Sequence, residues 1–300
     1  MSLLDEAKRR VVAAVGRVSP RTGALLTMRQ PLSDVLPVDL AELDPNQEVP
    51  DRLLPDVGVD MRVEQSITRV AGWGRDYGEL FASLRADPAI NTQALGQGYV
   101  RNPYFATPDA EVYAAMIADL RPAAIVEVGG GFSTLVARRT IAHLGLDTRL
   151  VVVDPQPRTD VARHADELVR ERIEDVEPAR LPLGADAILF IDSSHVVRSR
   201  GDVPWLFSAL LPSAPPGAVV HVHDVFLPWD YPDVMRLRLY TEQYVLQALL
   251  SHSPRYRTLL AVHHLCRRHP EALRDAVGDW RARAPELYGG SFWFEVTSEP

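Results

Sequence analysis

From Tyr104 onward, short apolar runs rich in β-branched residues alternate with stretches of helical spacing. That texture belongs to parallel strands covered on both faces. The runs fall at residues 124–128, 149–153, 169–173 (the weakest), 187–191, 218–222, 256–262 and 291–296. Helices are predicted at 109–120, from Ser133 to about Leu144, and at 233–250. The expected architecture is an α/β fold with a seven-stranded, mostly parallel sheet and helices on both faces. Its last two strands are joined by a hairpin-like excursion.

Upstream the pattern is less regular. Residues 3–18 read as a helix, and prolines at 20, 31, 37, 45, 50 and 55 then punctuate the chain. A second helical pattern at 65–84 sets Ile67, Val70, Ala71, Leu80, Phe81 and Leu84 at roughly helical spacing, with Trp73 and Tyr77 nearby. It is expected to pack on the core or to roof the active site. The predicted division is therefore a partly helical accessory or lid region over 1–95 and the α/β domain over 96–300.

Composition narrows the function. With 46% hydrophobic and 24% charged residues over 300 positions, the chain reads as an ordinary globular protein. The net charge of −8, with no basic run interleaved with aromatics, favours a small-molecule substrate over nucleic acid. The lone cysteine, Cys266, makes neither an internal disulfide nor a Cys-x-x-Cys zinc site, so a reducing cytoplasm is expected. No apolar run approaches ~18 residues, which argues against a membrane span. Nothing opposes a homo-oligomer.

Ligands of open parallel sheets bind beyond the carboxyl ends of the strands, so residues there carry most of the functional weight. After the first run, Gly129-Gly130-Gly131 lets the backbone approach a ligand closely, and Phe132 and Ser133 open a helix with unpaired N–H groups. A dinucleotide turn needs glycine where Thr134 stands, which weakens a nicotinamide oxidoreductase reading. Glu127 instead forms Glu-x-Gly-x-Gly, the arrangement of S-adenosylmethionine enzymes, where the acid can face the ligand's ammonium end. Asp154 ends the second run at a spacing suited to a ribose hydroxyl pair, although with Pro155 behind it a helix N-cap is an equal use. Asp175 follows the third run, where adenine is expected or where an acid simply faces solvent.

Four segments occur in order: Asn102-Pro-Tyr-Phe105, Ile125-Val-Glu-Val-Gly-Gly-Gly-Phe-Ser-Thr134, Phe190-Ile-Asp-Ser-Ser-His-Val-Val197 and His221-Val-His-Asp-Val-Phe-Leu-Pro228. Together they resemble the class I S-adenosylmethionine-dependent methyltransferases of the Methyltransf_24 type, over about residues 99–294. The resemblance implies a Rossmann-like fold, S-adenosylmethionine as cofactor, and binding through Glu127, Gly129, Gly131, Phe132, Ser133, Asp154, Asp175 and Asp192. Gly130 departs from the commoner serine, which is expected to remove only a hydroxyl.

The chemistry concentrates at the fourth and fifth runs. Asp192 and His195 form Asp-x-x-His, and His221, His223 and Asp224 follow on the neighbouring strand. One use is a divalent metal on Asp192, His223 and Asp224 that orients and acidifies a substrate hydroxyl. The resemblance supports it in part, since related sugar and catechol-type O-methyltransferases hold metal after these strands. His223 replaces an expected oxygen ligand, which weakens Mg²⁺ and favours Mn²⁺, Fe²⁺ or Zn²⁺. The other use is metal-free, with His195 or His223 as the base. The expected activity is O-methylation of a small natural-product or sugar-like hydroxyl. The rivals are the nicotinamide oxidoreductase and a non-catalytic S-adenosylmethionine-binding protein. His221 inside a strand suits the core, and packing suits His263 and His264. Trp229, Tyr231 and Pro232 suit either an aromatic wall or a loop brace, Tyr104 and Phe105 suit cofactor contact, and Arg198 and Arg200 suit the solvent side.

Overall fold

A computed structural model describes residues 51–298, apart from 55–57, 94–97, 158–159, 237, 283 and 285–288. The predicted helix at 3–18 and the prolines from 20 to 55 lie outside the described residues. Seven strands form one sheet: β1 Ala124–Val128, β2 Arg149–Val153, β3 Glu167–Val169, β4 Ala187–Ile191, β5 Val219–Val222, β6 Tyr256–Ala261 and β7 Phe292–Val296. Their order is β3-β2-β1-β4-β5-β7-β6, with β7 antiparallel to both of its neighbours. The order reverses between β1 and β4, which places the ligand crevice at their carboxyl ends. This is the Rossmann-like methyltransferase sheet expected above.

The strands form where the apolar runs are continuous, because both faces are covered. Ile125, Ile188 and Phe190 join one buried cluster, while Val126, Val128, Leu189 and Ile191 join the other. The third strand is a correction. Its pairing is Val151 with Glu167 through Val153 with Val169, two residues earlier than expected, and Ile173–Asp175 is a 3₁₀ turn instead. Arg170, Glu171 and Arg172 interrupt the apolar run, so only the segment before them continues the ladder.

The described helices, in chain order, are α1 Val63–Val70, α2 Trp73–Asp76, α3 Gly78–Ala86, α4 Asp109–Leu120, α5 Phe132–Leu144, α6 Asp202–Trp205, α7 Leu211–Ser213, α8 Asp233–Arg236, α9 Glu242–His252, α10 Val262–Arg268 and α11 Pro270–Val277. The single helix predicted over 65–84 is three pieces. Gly72 takes a left-handed φ of 91° between the first two. These pieces pack on the core and do not line the crevice. Trp73 Nε1 and Tyr77 Oη donate to the Asp119 carboxylate of α4 at 3.0 and 2.6 Å, and Arg85 pairs with buried Glu111 at 3.0 Å. The helix predicted over 233–250 is likewise two, α8 and α9. No described helix is long and apolar enough to cross a membrane.

Candidate active site

Backbone hydrogen bonds carry the sheet ladder one residue past the strand ends and so fix the functional positions. Gly129 N donates to Val153 O (3.0 Å), Asp192 N to Val128 O (2.9 Å), His223 N to Ile191 O (2.9 Å) and Asp154 N to Val169 O (3.1 Å). A cavity of about 520 Å³ opens over these ends. At one side it meets Gly129, Gly130, Gly131, Phe132, Ser133 and Asp154; at the other it meets Asp192, His195, His223 and Asp224.

The glycine turn is sterically exacting. Gly129 has φ 93°, and a Cβ there would stand 2.0 Å from the carbonyl oxygen of Asp192. Gly131 has open space where a side chain would project, and it lines the cavity. Gly130 corrects the expectation that serine differs there by a hydroxyl alone, since a Cβ would stand 2.7 Å from Cγ1 of Val152. Asp154 Oδ2 accepts from Gly130 N (2.9 Å) and Oδ1 from Gln156 N (2.7 Å), so the carboxylate is held rigid on the cavity wall. No described helix begins at Pro155, so the N-cap use does not apply.

Glu127 lies beneath the turn and does not line the cavity. It is fully buried, and it accepts from Tyr113 Oη at 3.0 Å and Thr134 Oγ1 at 2.5 Å, while Thr134 Oγ1 also accepts from Gly131 N at 3.2 Å. Burial pushes its carboxyl up to about 7, against the hydroxyl hydrogen bonds that favour its charged form. Asp175 is exposed and off the cavity wall, where Glu174, ion-paired with Arg172, stands instead.

In the polar cluster His195 is the centre. Its side chain is buried, with Nδ1 2.8 Å from Glu242 Oε2, and Nε2 3.1 Å from Asp192 Oδ1 and 3.5 Å from Asp224 Oδ2. Burial opposes the charged ring, but Asp192, Glu242 and Asp224 outweigh it and hold the imidazolium well above the usual histidine range. Asp192 is held well below the usual carboxylate range, because the hydrogen bond from His195 and the nearby His223 ring overcome the cost of burial. His195 and Asp224 both adopt left-handed backbone, with φ 59° and 56°, a conformation that His and Asp enter more readily than most residues.

His223 is buried beside Phe105, with ring centroids 5.1 Å apart. Its Nε2 faces Asp109 Oδ2 at 3.4 Å, whereas Nδ1 has no hydrogen-bond partner and lies 3.8 Å from Asp192 Oδ1 and 3.6 Å from Asp224 Oδ1. One ligand atom each from Asp192, His223 and Asp224 fall within 4.8 Å of one another. Atoms about 2.1 Å from a common ion stand roughly 3.0–3.5 Å apart. The cluster fits a divalent cation with a small closure, which would also partner the orphaned Nδ1.

His221 and His263 pack in the core, as expected. His221 is a core residue, stacked on Trp293 at 3.9 Å and bonded to Ser291 Oγ at 2.7 Å. His263 packs against Phe226 and Trp229, which with Tyr231 brace the loop after β5 and do not line the cavity. Tyr104 and Phe105 line the wall, with Tyr104 6.3 Å from Phe132. Arg198 is exposed, as expected, and also stands at the rim of the cavity. Asp109 and Glu242 behind the two histidines, and Met235, Arg238 and Tyr240 on the wall, have no local motif to mark them.

Residues 126–225 match the family model of a methyltransferase domain, Methyltransf_24. None of the curated proteins matches the chain at a significant level. Among solved structures the chain is similar to a Klebsiella pneumoniae protein assigned as an O-methyltransferase (15% identity, 75% of this chain and 98% of that one, TM-score 0.43). It is also similar to the SAH-bound Podospora anserina methyltransferase PaMTH1 (14%, 90% and 97%, 0.40). A third is a Bacillus cereus O-methyltransferase in complex with SAH (16%, 79% and 98%, 0.37). The segment that matches the methyltransferase domain, residues 126–225, runs from β1 through β5 and so contains most of the strand ends that border the cavity.

Proposed function

We propose that the protein transfers a methyl group from S-adenosylmethionine to a hydroxyl of a small molecule. The observation that carries this reading is the single cavity joining the glycine turn and Asp154 to Asp192, His195, His223 and Asp224. The close-approach backbone of Gly129–Gly131 takes the cofactor, Asp154 accepts its ribose hydroxyls, and Phe132 and Ser133 complete that wall.

The acceptor oxygen sits at the polar end, in line with the sulfonium methyl. The new C–O bond forms as the S–C bond breaks, the sulfonium becomes a neutral thioether, and the hydroxyl proton leaves to a protein group. Holding the two reactants aligned supplies much of the rate. Asp192, His223 through Nδ1, and Asp224 are the residues that would hold a divalent ion. Such an ion supplies Lewis acidity to a bound hydroxyl. Glu242 fixes the His195 ring with Nε2 toward the acceptor. The surrounding carboxylates favour a proton on His195, and the ring in its neutral form is the group that takes the hydroxyl proton at Nε2.

Calorimetry with S-adenosylmethionine and with a nicotinamide dinucleotide tests the cofactor, and transfer of labelled methyl to a panel of hydroxyl compounds tests the reaction. Binding of the dinucleotide alone overturns the reading. Tight S-adenosylmethionine binding without transfer to any acceptor favours a non-catalytic binder, and full transfer after chelation removes the metal.

A further inference from the structure

Asp109, the first residue of α4, is 6% exposed and lies behind the metal-type cluster. Its Oδ2 accepts from Gly290 N at 2.8 Å and its Oδ1 from Ser291 N at 3.1 Å, which clamps the carboxylate against the approach to β7. The same Oδ2 faces Nε2 of His223 at 3.4 Å. An ionised carboxylate only accepts, so when the ring carries a single proton it sits on Nε2 and the lone pair is on Nδ1. That Nδ1 is a buried atom without a hydrogen-bond partner, and it points between Asp192 and Asp224. Phe105 against the ring keeps it from turning away.

We infer that Asp109 is a positioning residue that presents His223 Nδ1 as a nitrogen ligand. The cluster thereby takes a first-row transition ion of the Fe²⁺, Co²⁺ or Zn²⁺ class in preference to Mg²⁺. This rests on the metal reading above. Mg²⁺ demands oxygen ligands and retains its waters, whereas imidazole suits the borderline ions. A carboxylate behind a ligating histidine fixes its tautomer and orientation and raises its basicity, and its loss costs about 10–100-fold in metal affinity.

The test uses the metal-free full-length protein, titrated with Co²⁺ and followed by its visible d–d absorption, with Mg²⁺ as competitor. Wild type is expected to take up Co²⁺ in competition with excess Mg²⁺. Asp109→Asn is expected to lower Co²⁺ affinity about 10–100-fold and to leave Mg²⁺ affinity nearly unchanged. A merely structural role would move both ions and the melting temperature together, and that outcome overturns the inference. A second measurement needs no variant. Nitrogen-15 histidine spectra of the Zn²⁺-loaded wild type are expected to show His223 protonated at Nε2 and metal-bound at Nδ1, and the opposite tautomer overturns the proposal. Unchanged Co²⁺ affinity in Asp109→Asn refutes the role of Asp109 and leaves the metal reading standing. Absence of Co²⁺ uptake by wild type overturns both. Neither result depends on methyl transfer.

Discussion

Glu242 and His195 are joined twice: the Glu242 carboxylate meets the His195 ring at 2.8 Å, and the His195 carbonyl accepts from the Glu242 N–H at 3.1 Å. The carbonyl also takes Thr241 N at 2.8 Å, so the left-handed turn at His195 satisfies orphan donors at the start of α9 while α9 holds the ring.

Glu242→Gln keeps the shape of that contact and removes its charge. The His195 pKa is then expected to fall toward the ordinary histidine range. Ring titration by NMR checks this, and an unmoved His195 titration shows that Asp192 and Asp224 suffice to hold the proton.

Glu127 makes stability depend on pH. Its folded-state value of about 7 lies above the ordinary glutamate value of 4.5. The raised value favours the neutral acid, so the contribution is full below about 4.5 and is lost as pH rises through about 7. Glu127→Gln is expected to flatten the stability profile between those values and to be more stable than wild type at pH 8. The gain is on the order of 1–3 kcal/mol. Denaturant melts at several pH values read it, and parallel profiles for the two proteins would contradict it.

The two glycines of the turn differ in how they fail. Gly129→Ala meets backbone at 2.0 Å and is expected to abolish cofactor binding, with loss of stability. Gly130→Ser meets the Val152 side chain at 2.7 Å, with Val161 in ordinary contact at 3.4 Å. It is expected to cost about 1–3 kcal/mol, with recovery in the Gly130→Ser, Val152→Ala double variant. Thermal melts of all three variants distinguish the cases.

Binding and turnover separate along the cavity. Asp154→Ala is expected to weaken S-adenosylmethionine binding about 10–100-fold, the worth of a charged hydrogen bond, as read by calorimetry. His195→Gln is expected to leave that affinity within a few-fold and to lower kcat about 10²–10⁴-fold. Equal turnover in His195→Gln and wild type would remove His195 from proton transfer.

The ends of β1, β2 and β4 were legible residue by residue, because strands buried on both faces must be written as unbroken apolar runs. The edge strand β3 was not, since three residues carry too little pattern and charged neighbours blur it. For the same reason of position, Gly129, Asp154, Asp192, His195, His223 and Asp224 could be singled out from sequence: each directly follows a strand, or lies within a few residues of one. What the chain alone did not disclose is which group stands behind which. Glu127, beside the glycines in sequence, is turned beneath them, because its side chain falls on the α4 face of the sheet. Asp109, Glu242, Met235, Arg238 and Tyr240 come from other segments, with Glu242 47 positions from His195. Backbone pattern is decided by neighbours a few residues away, whereas the proton and ligand roles of the two histidines are decided by carboxylates that only the packing of α4 and α9 brings to them.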